Sequence, residues 1–298
     1  MPSSFNTPGA GAELVREAVA GLLIEPLMAE SIILRSGPRL FTASGGVPIR
    51  VPKLVEFPIG VGTGASATYW VGESEPIGQA EATFSELVLL PSSLRSIKVI
   101  HRVSAELARH AVIDVVNVLR SALVRRIALA LDSVFIAGTG DNDTPLGILN
   151  TPGTQSEDYG AGGPTVDDLI DARALAMAAN AEPNVWFVHP DDFTTLAKQR
   201  EDSGAGPGTG QYLLQPDPTE AATMRLLGIP ARVSTQVPAG QLVLADMRQV
   251  AVARDVDASV AILRETFATT DEVGIRVVSR WDVGLLNPEG VVVLQPAA

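Results

Sequence analysis

Between Ser104 and Gly138 the run SAELARHAVIDVVNVLRSALVRRIALALDSVFIAG carries the pattern that most restricts what this chain can fold into. Ala105, Ala108, Val112, Val116, Leu119, Leu123, Ile127, Ala130 and Val134 recur every three or four residues, the spacing that lines up side chains on one face of an α-helix. Glu106, His110, Asp114, Asn117 and Ser121 fall mostly on the opposite side. Ser104 has the chemistry of an N-cap and Gly138 that of a C-terminal stop, which predicts a helix of about 34 residues and about 50 Å. A helix of that length exceeds the usual globular element, so it either kinks or forms the backbone of an elongated molecule.

The flanking sequence has a different period. Residues up to Gly11 are Pro-, Ser-, Gly- and Asn-rich and read as a mobile arm. Glu13 to Ser31 alternates apolar and charged positions as a short amphipathic helix would, until Pro26 interrupts it. SIILRSG and GGVPIRVPKL are β-rich and punctuated by proline, which predicts edge strands. Next comes YWVGESEPIGQAEATFSEL, Tyr69 to Leu87, a long polar loop with no periodicity of its own. It returns into strand chemistry, with Ile97, Val99, His101 and Val103 alternating against Ser96, Lys98 and Arg102, so the loop is expected to be the tip of a long hairpin.

Beyond GTGDNDTPLGILN the pattern is α/β. A helix is predicted over Thr165 to Asn180, then a buried strand at NVWFVH, then a helix near HPDDFTTLAKQR capped by Asp191 or Asp192. Short strands follow at ARVST, QLVLAD and QVAVAR, and the chain closes with strands in SVAILRETF, GIRVVSRWDVGLL and VVVLQ. No internal repeat is present.

Composition decides which function classes survive. Lys and Arg number 22 against 34 Asp and Glu, a net charge of -12, and no basic cluster is larger than Arg125-Arg126. Such a chain lacks the clustered cations that bind phosphate backbones by counterion release. With no cysteine there are neither disulfides nor thiolate metal sites, so stability is expected from packing and association. The first residues show no basic segment followed by an apolar core, and no apolar run reaches the roughly 18 residues of a membrane span.

Tests for chemistry come back empty. Gly60, Gly62 and Gly64 lack the following helix of a dinucleotide loop, and Ser203 to Gly210 lacks the Lys-Ser/Thr pair of a phosphate loop. Asp141, Asn142 and Asp143 miss the twelve-position calcium-loop pattern and read as a turn with Asx hydrogen bonds. His101, His110 and His189 share no ligand spacing, and no G-x-S-x-G elbow frames a nucleophile. The expectation is therefore no catalytic residue, no cofactor, no metal site and no enzyme.

Read in order, these segments resemble the Hong Kong 97 family of tailed-bacteriophage major capsid proteins, from about Leu23 to Leu294. YWVGESEPIGQAEATFSEL is similar to that family's extended loop, or E-loop, with an aromatic strand, an acidic tip and a Thr-Phe return. The helical run ending in GTG resembles the long spine helix, and DTPLGILN the Pro-x-Gly-Ile-Leu step after it. NVWFVHPDDFTTLAKQRE resembles the axial domain's strand and helix. RETFATTDEVGIRVVSRWDVGLLNPEGVVVL matches the peripheral-domain ending, Arg280 and Asp282 included.

The resemblance implies an α+β fold of Hong Kong 97 type: an N-terminal arm and helix over 1–45, an E-loop hairpin over 46–90, a peripheral domain from 91–140 and 251–298 with the spine helix at about 104–137, and an axial domain over 141–250. It implies pentamers and hexamers closing into an icosahedral head that encloses double-stranded DNA without binding it specifically, assembled in the host bacterial cytoplasm. The E-loop would lie over the adjacent subunit, with Trp70 and Phe84 as stem anchors and Glu73, Glu75 and Glu81 as further intersubunit contacts. Portal and decoration proteins are further expected partners. An encapsulin shell, the same fold around cellular cargo, is the alternative. Two departures from the family stand out. Only about 12 arm residues precede Glu13, so scaffolding would come from a separate protein, or the chain is a trimmed product. No lysine lies between Lys53 and Lys98, and Ile77 stands where a crosslinking lysine would, so autocatalytic crosslinking is not carried over.

Overall fold

The computed structural model describes residues 30–43, 48–56, 83–90, 96–104, 115–141, 143–200, 213, 224–255, 259–263 and 266–297. The first half contains α1 (Ile32–Arg35), β1 (Arg39–Ala43), β2 (Ile49–Glu56), β3 (Thr83–Leu89), β4 (Ile97–Ser104) and α2 (Val115–Ala137). Then follow β5 (Gln155–Tyr159), α3 (Val166–Ala178), β6 (Val185–Val188), α4 (Pro190–Ala197), β7 (Arg225–Leu226), β8 (Ile229–Val233) and β9 (Leu242–Ala245). The last strands are β10 (Val250–Asp255), β11 (Ser259–Leu263), β12 (Glu272–Ser279), β13 (Trp281–Leu285) and β14 (Val291–Pro296).

The central element is a six-stranded mixed sheet in the order β5-β14-β9-β6-β8-β7. Its middle strands are apolar on both faces, as a sheet covered on both sides requires. Strand alternation then sorts neighbours into two cores. Val185, Phe187, Val243, Ala245 and Val291 face the core built on α2, which also takes in Val252 of β10, Val277 of β12 and Trp281 of β13. Trp186, Val188, Leu242, Leu244, Val292 and Leu294 face the other way, onto Leu169, Ala172 and Ala176 of α3 and Leu196 of α4.

Two three-stranded sheets lie on the α2 side, in the orders β1-β10-β13 and β11-β12-β4. β12 and β13 are separated by Arg280 alone, so the chain steps from one sheet to the other there. Arg280 Nη1 lies 3.2 Å from Asp255 Oδ2, tying that step to the end of β10. The expected boundary at 250/251 does not follow the sheets, because β14 pairs with β5 and β9 inside the six-stranded sheet. VVVL has no polar face, and only a strand covered on both sides can bury it.

The long helix is described from Val115 to Ala137, with 105–114 outside the described residues. Its buried face is turned from the expected one. Val124, Ile127, Ala128, Leu131 and Phe135 are inside, whereas Ala130 is exposed and Val134 only half-buried. The segment is apolar nearly all round, so its period leaves the phase open by one residue, and Asp132 settles it.

Asp132 is buried beside α1, where the sequence reading expects an edge strand at SIILRSG. Ser31 Oγ donates to Asp132 Oδ1 at 2.5 Å, and the backbone N–H groups of Ile32 and Ile33 donate to its carboxylate at 3.0 and 3.3 Å. Leu34 N–H donates to Ser31 Oγ at 3.2 Å. Three otherwise unpartnered helix N–H groups are satisfied this way, which outweighs the strand preference of Ile32 and Ile33. Burial pushes the Asp132 carboxyl above the usual carboxylate range, and the hydrogen bonds from Ser31, Ile32 and Ile33 oppose that shift.

Gly138 ends α2 as expected. Its N–H donates to Val134 O at 2.8 Å, and a Cβ there would collide with the carbonyl oxygens of Pro145 and Val134. Asn150 Nδ2 reaches back to donate to the carbonyls of Ala137 and Gly138, so the DTPLGILN step caps the helix. α3 begins with a capping box between Thr165 and Asp168. In α4 the cap is His189, whose Nδ1 accepts from Asp191 N–H, and neither aspartate takes that role. Pro190 at the first helical position puts the cap on the residue before it, and Asp192 instead accepts from Gly240 N–H at 2.8 Å.

Candidate assembly surface

β2 and β3 pair antiparallel from Ile49 opposite Leu89 out to Glu56 opposite Thr83, with an irregularity at Leu54 to Glu56. This two-stranded ladder joins no other sheet among the described residues. It is the stem of the hairpin whose connecting residues, 57–82, lie outside the described ones. Pro52, which removes a ladder donor, is accommodated because each strand of a two-stranded ladder is an edge.

The stem stands on the β1-β10-β13 sheet, and the floor is made of small residues. Ala251 and Ala253 of β10 are fully buried under Leu89, with Phe41, Ile49, Val51, Leu87, Leu90 and Leu286 around them. Gly284 of β13 sits opposite Ala251, and a Cβ on it would meet Leu87 and Leu89 methyls at 3.0 Å. Leu87 and Leu89 therefore lie in a trough that only small residues leave open.

Polar groups fix where the stem ends. Leu90 N–H donates to Asp282 Oδ2 at 2.7 Å, while Asp282 Oδ1 accepts from Val283 N–H at 2.9 Å. Leu90 has φ 53°, a left-handed conformation that costs a leucine free energy, and the bond to the buried carboxylate holds it. On the outer side Arg50 pairs with Glu86 at 2.9 Å, in solvent. Burial lowers the Lys53 ammonium below its usual range, opposed by the nearby Glu289 carboxylate.

Of the residues expected at an intersubunit contact, Trp70, Glu73, Glu75 and Glu81 lie outside the described residues. Phe84 is in β3 opposite Leu54. The glycines at 60, 62 and 64, the 203–210 run, Asn142 and His110 also lie outside. His101 is exposed on β4, while Ile97 and Val99 of that strand pack onto the core. The turn at Asp141 forms, but its acceptor is the backbone carbonyl, taking bonds from Thr144 N and Oγ1. Among the described residues no three His, Asp or Glu side chains converge as metal ligands would.

Asp132, Asp282 and Gly284 carry the geometry; sequence reasoning passed over Asp132 and Gly284 and named Asp282 only as part of the family-like ending. The available signal is polarity out of place: Asp282 interrupts the buried strand WDVGL, and Asp132 interrupts the most apolar stretch of the helix.

Comparison with known proteins fits this architecture. The model of the phage capsid family matches residues 11–295. The major capsid protein of Klebsiella oxytoca phage phiKO2 is 24% identical over 95% of this chain and 68% of its own length. That of Halomonas phage phiHAP-1 is 26% identical over 74% of this chain, which spans only 35% of the relative. Among solved structures, the Gordonia phage Cozz chain superposes with a TM-score of 0.68 at 16% identity, covering 90% of this chain and 87% of that one. The Microbacterium phage Oxtober96 chain gives 0.66 at 17%, covering 90% and 91%. The capsid of a native GTA particle, computed with C5 symmetry, gives 0.67 at 18%, covering 89% and 90%. The fold is thus the Hong Kong 97 type, and the chain belongs to the phage capsid family.

Proposed function

We propose that this protein is the major capsid protein of a tailed phage, assembling as pentamers and hexamers into an icosahedral shell around double-stranded DNA and having no enzymatic role. The observation that carries this reading is the family match over residues 11–295. The docked stem of β2 and β3 supports it, because a two-stranded hairpin is marginal alone and gains from a surface on a neighbour. In this reading the six-stranded sheet with α3 and α4 is the axial domain, and α2 with the two smaller sheets is the peripheral one.

The E-loop lies over the adjacent subunit, with Trp70 and Phe84 as apolar anchors and Glu73, Glu75 and Glu81 as polar contacts. A separate scaffolding protein, a portal and a decoration protein are the further partners this reading allows. The net charge of -12 suits a container wall along which packaged DNA slides.

The test is negative-stain microscopy with sedimentation velocity on the protein expressed alone, then with its scaffold. Closed shells or capsomer rings are expected, and a monomer under both conditions overturns the reading. Trp70→Ala is expected to reduce the assembled fraction while leaving the subunit folded. Binding to duplex DNA is expected to be negligible at physiological salt; retention that falls with salt at a log-log slope of several units contradicts the sliding wall.

A further inference from the structure

Two exposed surfaces, each apolar at its centre and opposite in charge, lie on opposite sides of the six-stranded sheet. The first is the outer face of the β11-β12-β4 sheet. Ile97 and Val99 of β4 and Ile275 and Val277 of β12 point into the α2 core, so alternation turns Lys98, Ile100 and Arg102 outward, opposite Val278, Arg276 and Gly274. Ile100 is 54% exposed, and a Cβ on Gly274 would meet the Phe267 ring at 2.7 Å, which puts Phe267 on the same face. Arg102 is engaged, lying over that ring and 3.5 Å from Glu272. Lys98 and Arg276 are exposed and form no ion pair among the described residues. The second surface is the outer side of α3, which packs on β5 and β14 through Leu169, Ala172 and Ala176. Ile170, Ala174 and Met177 form an outward stripe at helical spacing, Ile170 at 50% and Met177 at 61% exposure. Asp167 and Asp171, one turn apart, run along one flank, with Arg173 on the other. Asp168 is held in the capping box with Thr165, whereas Asp167 and Asp171 form no ion pair among the described residues.

We propose that the α3 stripe of one copy packs across the outer face of the β11-β12-β4 sheet of a second copy of this chain, Ile170 and Met177 over Ile100 and Val278, with Asp167 and Asp171 toward Lys98 and Arg276. Within one chain the two surfaces face away from separate cores, so they meet only between chains. The dimensions match: a helix of 13 residues is about 20 Å long and covers three strands about 4.8 Å apart. Helix on sheet is also the ordinary way to bury two amphipathic elements. Self-pairing of either surface is disfavoured, because it brings Asp167 and Asp171, or Lys98 and Arg276, against their own kind. The acidic run with Glu73, Glu75 and Glu81 is the competing occupant of the cationic face. α3 is favoured over it because large apolar side chains accompany its carboxylates, whereas residues 72–82 have Ile77 as their one large aliphatic. The contact joins unlike surfaces, which makes it head-to-tail, and a head-to-tail contact whose rotation closes gives a ring. The proposal rests on the shell reading and adds to it a contact distinct from the E-loop.

The cysteine-free chain makes the test clean. Full-length chains carrying Ile100→Cys with Met177→Cys, or Ile100→Cys with Glu75→Cys, are assembled, treated with a short bismaleimide and run under denaturing conditions. A ladder rising to five and six subunits is expected from the Met177 pair, with no ladder from any single-cysteine chain. Particles that form normally but yield no product from that pair, or dimers only, overturn the proposal and leave the shell reading standing. Product from the Glu75 pair alone overturns it too and gives the face to the E-loop. Absence of particles from the wild-type chain, with its scaffold supplied, removes both. Should the cysteine pairs themselves block assembly, the charges decide. Lys98→Glu with Arg276→Glu is expected to lower particle yield several-fold, and Asp167→Lys with Asp171→Lys in the same chain to restore it. Equal yields in all three chains, or no restoration, overturn the proposal.

Discussion

The six-stranded sheet and the hairpin stem solve the same problem in opposite ways. In β6 and β9 every side chain is buried, odd and even positions each against a core of their own. In β3 the alternation is one-sided: Leu87 and Leu89 rest on the floor of Ala251, Ala253 and Gly284, while Ser85, Glu86 and Val88 face solvent, Val88 at 42% exposure. The first region completes its packing within one chain. The second has a single buried face and a ladder of two strands, an arrangement that needs help from elsewhere to persist. The rigid body sets the subunit's shape, while the stem keeps one face on its own chain's floor and the other in solvent.

Perturbations should separate the two regions. The largest effect is expected on the self-contained side, at Asp132. Asp132→Ala leaves the donors of Ser31, Ile32 and Ile33 without an acceptor, and the unassembled chain should lose about 3 kcal/mol in a denaturant titration. On the hairpin side, Asp282→Ala strands the Leu90 N–H and should cost about 1–2 kcal/mol. Hydrogen exchange should then accelerate at Leu87 to Leu90 but not in β6 or β9, and equal acceleration in both would erase the contrast drawn here. Gly284→Ala pushes a methyl against Leu87 and Leu89 and should cost about 1 kcal/mol, read as a lower Tm with the stem again loosening first.

A smaller effect is expected from pH. The folded-state pKa of Asp132 is raised, so the folded chain holds that proton more tightly than the unfolded one. Its contribution to stability should fall as pH rises from the ordinary carboxylate range through the raised value, then level off. Asp132→Asn should remove that segment of the pH profile, and a Tm profile identical to wild type across it would show that Asp132 does not titrate there. The smallest effect is expected from Arg50→Ala, about 0.5 kcal/mol or less, because its pair with Glu86 is solvated.

Much of this architecture is legible in the residues. Thr165 and Asp168 spell a capping box, the unbroken apolar runs at 185–188 and 291–294 announce two-sided burial, and Gly138 marks the helix end. The misreadings share a cause. SIILRSG looks extended because Ile32 and Ile33 are β-branched, and only the approach of Asp132, about a hundred residues away, makes a helical turn cheaper. His189 displaces Asp191 as a cap because Pro190 takes the first helical position. Of the expected intersubunit contact, Phe84 alone lies within the described stem, opposite Leu54 in the ladder.

Local chemistry therefore determined the order and type of most elements, the absence of cysteine, the acidic balance and the segments whose succession resembles a phage shell, since propensity, capping and periodicity act over a few residues. Tertiary structure decided which face of α2 turns inward, which sheet receives β14 and how Leu90 is held, because each depends on a partner far away in sequence. A lone period or a lone carboxylate is degenerate. It becomes definite only when packing supplies the residue across from it.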